Sequence, residues 1–135
     1  MMDGTPTSTT LRVRLRADDT KYAGGVIPAA HYMQLMSDAG AMLGVMRGES
    51  AGYLARWESV DFTAVCHVGD YIEVRCELIR VGNRSRTMRT EVVKLISTDP
   101  GERGQTTKGI VHEPPEVVAR GDYVSVMPRA DLDSE

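Results

Sequence analysis

Asp61 stands between Val60 and Phe62 in a strand-like run. A carboxylate set among apolar side chains has its pKa raised by burial, and it can then accept a proton and return it. The other reading is a polar residue on the solvent side of the strand, satisfied by a backbone donor. Tyr53 precedes Asp61 by eight positions, so in an unbroken strand both side chains emerge on one face. Its hydroxyl suits the positioning of a water or a polar substrate, although tyrosine is also a common sheet residue. Arg56 has the opposite parity and joins that face only through a bulge or from a neighbouring subunit. A second group lies earlier in the chain. His31, Gln34 and Asp38 are spaced i, i+3 and i+7, which places them on one helix face, either as a solvated stripe or as a polar wall holding a second carboxylate. Gly24-Gly25 just ahead of them permits close backbone approach to a helix amino end, whose unpaired N–H groups favour developing negative charge. The same glycines also read as a plain strand-to-helix turn.

The elements that must hold these groups follow from periodicity. Leu11, Val13 and Leu15 alternate with Arg12, Arg14 and Arg16 and predict a first strand. Pro28 suits the first turn of a helix, and Tyr32, Leu35, Met36, Ala39, Met42, Leu43 and Met46 recur at three and four, predicting one long helix to about Met46. Strands are expected near 53–64, 71–81, 86–96 and 107–127, the last in one or two pieces. Ile72, Val74, Cys76 and Leu78 alternate with Glu73, Arg75 and Glu77 between the turn signals Gly69-Asp70 and Gly82-Asn83. The Asp-Pro-Gly within 97–104 predicts a surface turn. One helix with a meander of strands is an α+β layout, the helix packed on one face of an antiparallel sheet. The expected organisation is a tail over 1–10, one domain over 11–129 and a tail over 130–135, both tails disordered.

Composition narrows the classes. The 135 residues suit one domain, and 16 Lys and Arg against 19 Asp and Glu give a mildly acidic chain, so no nucleic-acid partner is expected. No apolar run reaches the roughly 18 residues a bilayer span needs, and the first ten residues lack a basic flank and an apolar core, so a cytoplasmic protein without a membrane partner is expected. Cys66 and Cys76 read as buried thiols. Three dispersed histidines lack metal-ligand spacing, and His112 reads as structural. Met33, Met36, Met42 and Met46 read as core filler or as the lining of an apolar tunnel. Arg12, Arg14, Arg16, Arg80, Arg84, Arg86 and Arg89 keep strand faces soluble or dock an anionic partner.

Longer motifs carry a resemblance. Lys21-Tyr22-Ala23-Gly24-Gly25, Gln34-Leu35-Met36-Ser37-Asp38, Glu58-Ser59-Val60-Asp61-Phe62, Val68-Gly69-Asp70-Tyr71-Ile72-Glu73, Val81-Gly82-Asn83-Arg84-Ser85 and Glu113-Pro114-Pro115 are together similar to the 3-aminobutyryl-CoA and β-alanyl-CoA ammonia-lyases. The chain also resembles the related dual-function thioesterases that add glycine to an enoyl thioester. The resemblance implies the hotdog fold, an antiparallel sheet wrapped around one long central helix, and a homodimer or a multiple of one. It implies an acyl thioester on coenzyme A or an acyl carrier protein as substrate, a small amine such as glycine or ammonia as partner, and no cofactor beyond the carrier. It further implies that the helix amino end, with Gly24 and Gly25, meets the thioester oxyanion, and that an acidic residue on the helix, here Asp38, acts as base or nucleophile in hydrolysis. His31 and Gln34 would line the substrate. The lyases carry asparagine at the position of Gly25, glutamate at that of Asp61, and apolar residues at those of Tyr53 and Arg56. The departures at Tyr53 and Arg56 suit an amine bearing its own carboxylate, of which glycine is the smallest.

Conjugate addition to an enoyl thioester needs a base to free the amine lone pair, stabilisation of an enolate oxygen, and an acid to protonate the α-carbon. Asp61, Tyr53 and Asp38 are the catalytic candidates; Gly24, Gly25, Arg56, His31 and Gln34 are the binding candidates. An ordinary thioesterase, needing one carboxylate, an oxyanion helix and a water, is the alternative. A non-enzymatic acyl-thioester-binding dimer module is a third reading.

Overall fold

The computed structural model of the chain describes residues 4–99, 104 and 107–128. The order of elements is β1 (Ser8–Arg14), α1 (Ala29–Met46), β2 (Tyr53–Phe62), β3 (Tyr71–Val81), β4 (Ser85–Asp99) and β5 (Lys108–Val126), with short 3₁₀ turns at Ala17–Asp19 and Ala23–Gly25. The five strands form one antiparallel sheet in the order β1-β3-β4-β5-β2, and α1 packs across one face of it. No helix of the described residues is long and apolar enough to cross a membrane.

The helix begins and ends where local chemistry dictates. Pro28 has an extended backbone at the N-cap, one position before the first turn where it was expected, and two alanines follow it. At the other end Gly48 takes a positive φ of 79°. Its N–H bonds the Val45 carbonyl at 3.0 Å and the Glu49 N–H bonds that of Gly44 at 2.9 Å. These paired bonds form a Schellman stop, which needs a residue without a Cβ penalty at Gly48. The buried face carries Tyr32, Leu35, Met36, Ala39, Gly40, Leu43 and Gly44. Against it lie Ile72, Val74 and Cys76 of β3, Met88 and Val92 of β4, and Val118, Ala119 and Tyr123 of β5. Burying a side chain such as Leu43 or Ile72 contributes roughly 1.5–3 kcal/mol relative to exposure. Among the methionines, Met36 is core, Met33 packs against the core and Met46 is half exposed.

Several boundaries differ from those the sequence predicts. The first strand begins at Ser8, because Ser8, Thr9 and Thr10 pair with Glu77, Cys76 and Arg75. The expected disordered tail over 1–10 is therefore corrected at its last five positions, since the Pro6 and Thr7 carbonyls also accept from Arg47 and the Leu78 N–H, both at 2.8 Å. β2 ends at Phe62 and β5 is a single strand. β4 runs on to Asp99, with Ser97, Thr98 and Asp99 paired to Ile110, Gly109 and Lys108, so the expected turn begins later than 97. The turn's tip at 100–103, Met1 to Asp3 and the C-terminal tail at 130–135 lie outside the described residues.

Candidate active site

The segment ahead of α1 is built from paired turns. Gly24 and Gly25 have φ of 79° and 72°. The Gly25 carbonyl accepts from the Val68 N–H at 2.9 Å, and the Ile27 N–H donates to the Cys66 carbonyl at 2.9 Å. A Cβ on Gly25 would touch Val68 Cγ2 at 3.4 Å, and its positive φ independently disfavours any other residue. The Ala29 and Ala30 amides of α1 come before the first helical acceptor, while the His31 N–H already donates to the Pro28 carbonyl at 3.0 Å.

The partner segment 65–70 is fixed from behind by a buried polar network. Asp70 accepts from the backbone N–H of His67 at 2.9 Å and of Thr98 at 3.1 Å. Lys94, almost wholly buried, donates to the Val65 carbonyl at 2.7 Å and lies 3.4 Å from Glu116 and 4.0 Å from Asp70. A buried ammonium is tolerated only with such partners. The Cys66 N–H donates to the Tyr32 hydroxyl at 2.9 Å. Burial raises the Tyr32 hydroxyl above the usual phenol range and pushes the Cys66 thiol up to about 11. Motif reasoning did not single out Lys94 or Glu116. The available signal was a lone charge in the apolar run Val92-Val93-Lys94-Leu95-Ile96.

On the helix, Gln34 and Asp38 are exposed and His31 is half buried. His31 Nε2 lies 3.6 Å from Asp19 Oδ1, so the histidine faces the 3₁₀ turn before the helix. Asp38 forms no ion pair among the described residues. Its charge is one influence raising the Tyr123 hydroxyl, after burial and Cys76.

Two irregularities in β2 decide where the other candidates lie. Tyr53, Leu54, Arg56, Trp57, Ser59, Val60, Asp61 and Phe62 pair with Val126, Ser125, Val124, Tyr123, Asp122, Gly121, Arg120 and Ala119. Ala55 and Glu58 are the extra residues, and each reverses the alternation of faces. Tyr123 and Ala119 belong to the core, so Trp57, Val60 and Phe62 point inward. Tyr53, Arg56, Ser59 and Asp61 therefore share the outer face, away from α1. Arg56 reaches the face of Tyr53 by a bulge, one of the two routes open to it. Tyr53 is 71% exposed, while Arg56 meets Glu58 at 3.3 Å, and Arg80 meets the same carboxylate.

Asp61 is exposed, which corrects the expectation of a buried carboxylate and matches the solvent-side reading; it lines a cavity of about 830 Å³ on the outer face with Ser59, Arg89, Glu91, Arg120 and Asp122. Within one chain the candidates thus form two groups: Gly24, Gly25, His31, Gln34 and Asp38 around the helix, and Tyr53, Arg56 and Asp61 across the sheet. The arginines of the basic groups are mostly engaged internally: Arg12 with Glu73, Arg86 with Glu49, Arg89 with Asp122, and Arg84 with the Met127 carbonyl. His112 Nε2 lies 2.6 Å from Ser97 Oγ across the β4–β5 hairpin. Cys66 and Cys76 are free, buried thiols.

One long helix on a five-stranded antiparallel sheet of this strand order, with a glycine turn at the helix amino end, is the hotdog fold. The sequence pattern of the thioesterase superfamily matches residues 24–98, and the chain belongs to that superfamily. It is 34% identical over 121 residues to the 3-aminobutyryl-CoA ammonia lyase of Acetoanaerobium sticklandii, covering 88% of this chain and 93% of that protein. Among solved structures it is similar to the β-alanyl-CoA:ammonia lyase from Clostridium propionicum, with a TM-score of 0.83 at 22% identity over 92% of this chain and 87% of that one. The zebrafish thioesterase superfamily member 2 superposes with a TM-score of 0.67 at 12% identity, over 94% and 79% of the two chains.

Proposed function

We propose that this protein adds an amine to the β-carbon of an α,β-unsaturated acyl thioester, or catalyses the reverse elimination, with glycine as the amine and thioester hydrolysis as a second step. The observation that carries the reading is the 34% identity to a 3-aminobutyryl-CoA ammonia lyase across 88% of the chain. The substrate is an acyl thioester on coenzyme A or an acyl carrier protein, met in the cytoplasm. Its carbonyl oxygen sits before the first-turn amides of α1, where unpaired N–H groups and the helix dipole stabilise enolate charge. Asp38 is an exposed carboxylate on α1 with no ion-pair partner among the described residues. Asp61 occupies the position where the lyases have glutamate and is the second proton-carrying candidate. β2 lies at the sheet edge with one side unpaired, and a second copy joins there to form a homodimer.

A plain thioesterase is the second reading, supported by the superfamily match over residues 24–98. Crotonyl and longer enoyl thioesters, incubated with and without ammonia or glycine and followed by mass spectrometry, separate the two. A β-amino adduct supports the proposal; free acid alone, formed at a rate independent of amine, leaves the thioesterase.

A further inference from the structure

We propose that the cavity on the outer face of β2 and β5 binds a small zwitterion of the amino-acid class, its ammonium on Asp61 and its carboxylate on Arg120. The amine class draws support from the reaction proposed above; the site stands on its own geometry. Asp61 and Arg120 are directly paired across the β2–β5 ladder and point to the same side. Side chains so placed have Cβ atoms about 4.5–5.5 Å apart and ordinarily neutralise each other when opposite in charge. Here they do not. Arg120 instead uses its Nε to bond Glu91 Oε2 at 2.9 Å. Its two terminal nitrogens have no partner among the described residues, and neither does the Asp61 carboxylate.

The rest of the lining keeps those two groups available. Glu91 is also 3.5 Å from Arg75, so it bridges two guanidinium groups and fixes the Arg120 side chain by one edge. Arg89 is occupied by both oxygens of Asp122, at 3.2 and 3.1 Å. The neighbouring pairs are thereby neutralised internally, leaving Asp61 and, on β3, Glu77 as unpaired anions and Arg120 as the half-used cation within the same cavity of about 830 Å³. The free edge of a guanidinium presents parallel N–H groups that suit a carboxylate. A lone anion would be repelled by Asp61, and a lone cation by Arg120. A molecule carrying both charges a short distance apart satisfies both, and the Ser59 hydroxyl adds a neutral donor.

The test titrates the ¹⁵N-labelled full-length chain with glycine, acetate and methylamine, following amide shifts. Glycine is expected to move the amides of residues 59–61 and 120–122 saturably, with acetate and methylamine at least about tenfold weaker. Arg120→Gln and Asp61→Asn should each weaken glycine binding about 10- to 100-fold, the effect of losing one charge-assisted hydrogen bond, with the thermal melt confirming that both variants fold. Absence of glycine shifts on β2 and β5, equal response to methylamine, or unchanged binding in Arg120→Gln overturns the proposal. The reaction is judged separately: amine addition with ordinary glycine dependence in Arg120→Gln removes this site and leaves the reaction, whereas glycine binding here without adduct on any enoyl thioester keeps the site and removes the reaction.

Discussion

The hydroxyl of Tyr123 occupies the space that a side chain on Gly40 would fill, and it donates to the Ser37 carbonyl at 3.4 Å. The helix and β5 therefore approach each other through a glycine that no periodicity argument would select. Gly40→Ala should destabilise the protein by about 1–3 kcal/mol through overpacking, despite alanine's better helix propensity. Tyr123→Phe in the same background should recover part of the loss. Urea denaturation of the four chains measures this; additive effects would mean that the two residues do not meet.

Replacement of each carboxylate sorts the proton carriers. Asp38→Asn should lower turnover of enoyl thioesters roughly 100-fold, within the range for losing general acid–base catalysis, while the melting temperature changes little because the side chain is exposed. If Asp61→Asn produces that loss and Asp38→Asn does not, the proton carrier lies on the outer face.

Acid should erase one ion-pair contribution selectively. Arg75 and Arg12 bond Glu73 and hold its carboxyl below the ordinary carboxylate value. A depressed folded pKa adds stability above the unfolded value, and that stability disappears as pH falls through the folded value. Wild type should thus exceed Glu73→Gln in stability at pH 7, and the gap should close below about pH 4. Denaturation curves at stepped pH provide the check; a gap that widens on acidification contradicts the assignment.

Both thiols should be silent in the folded protein. Burial pushes Cys66 up to about 11 and Cys76 up to about 12, and the thiolate is the reactive form. An aromatic disulfide reagent at pH 8 should label neither residue in buffer and both in denaturant. Rapid labelling of the native chain would show that the core opens.

Assembly is checked by light scattering. The free edge of β2 predicts a homodimer or a multiple of one, and a monomer at every concentration tested would exclude pairing at that edge.

Much of the fold was legible from local pattern. The helix could be located from its apolar spacing after Pro28, and β3 from the alternation of Ile72, Val74 and Cys76. Polar composition misled at Ser8-Thr9-Thr10, whose strand conformation is imposed by pairing with β3. The site was harder to assemble. Tyr53 and Asp61 do share a face, as even spacing requires, but only because two bulges cancel. Which face that is depends on Tyr123, more than sixty positions away in β5. Lys94 stood out only as a lone charge in an apolar run; its role as a hub was not legible because its partners, Val65 and Asp70 in the 65–70 segment and Glu116 in β5, are distant in sequence.

The paired bulges of β2 also constrain how this strand can change length over evolutionary time. Ala55 and Glu58 have no partner on β5, so flattening either bulge at constant length would turn every residue on one side of it to the wrong face. Flattening both would restore the facing at the strand's ends while exchanging that of Arg56 and Trp57. Deleting Ala55 or Glu58 outright leaves every remaining pair in register, so single-residue deletions across a lineage should be tolerated at these two positions and selected against elsewhere in the strand.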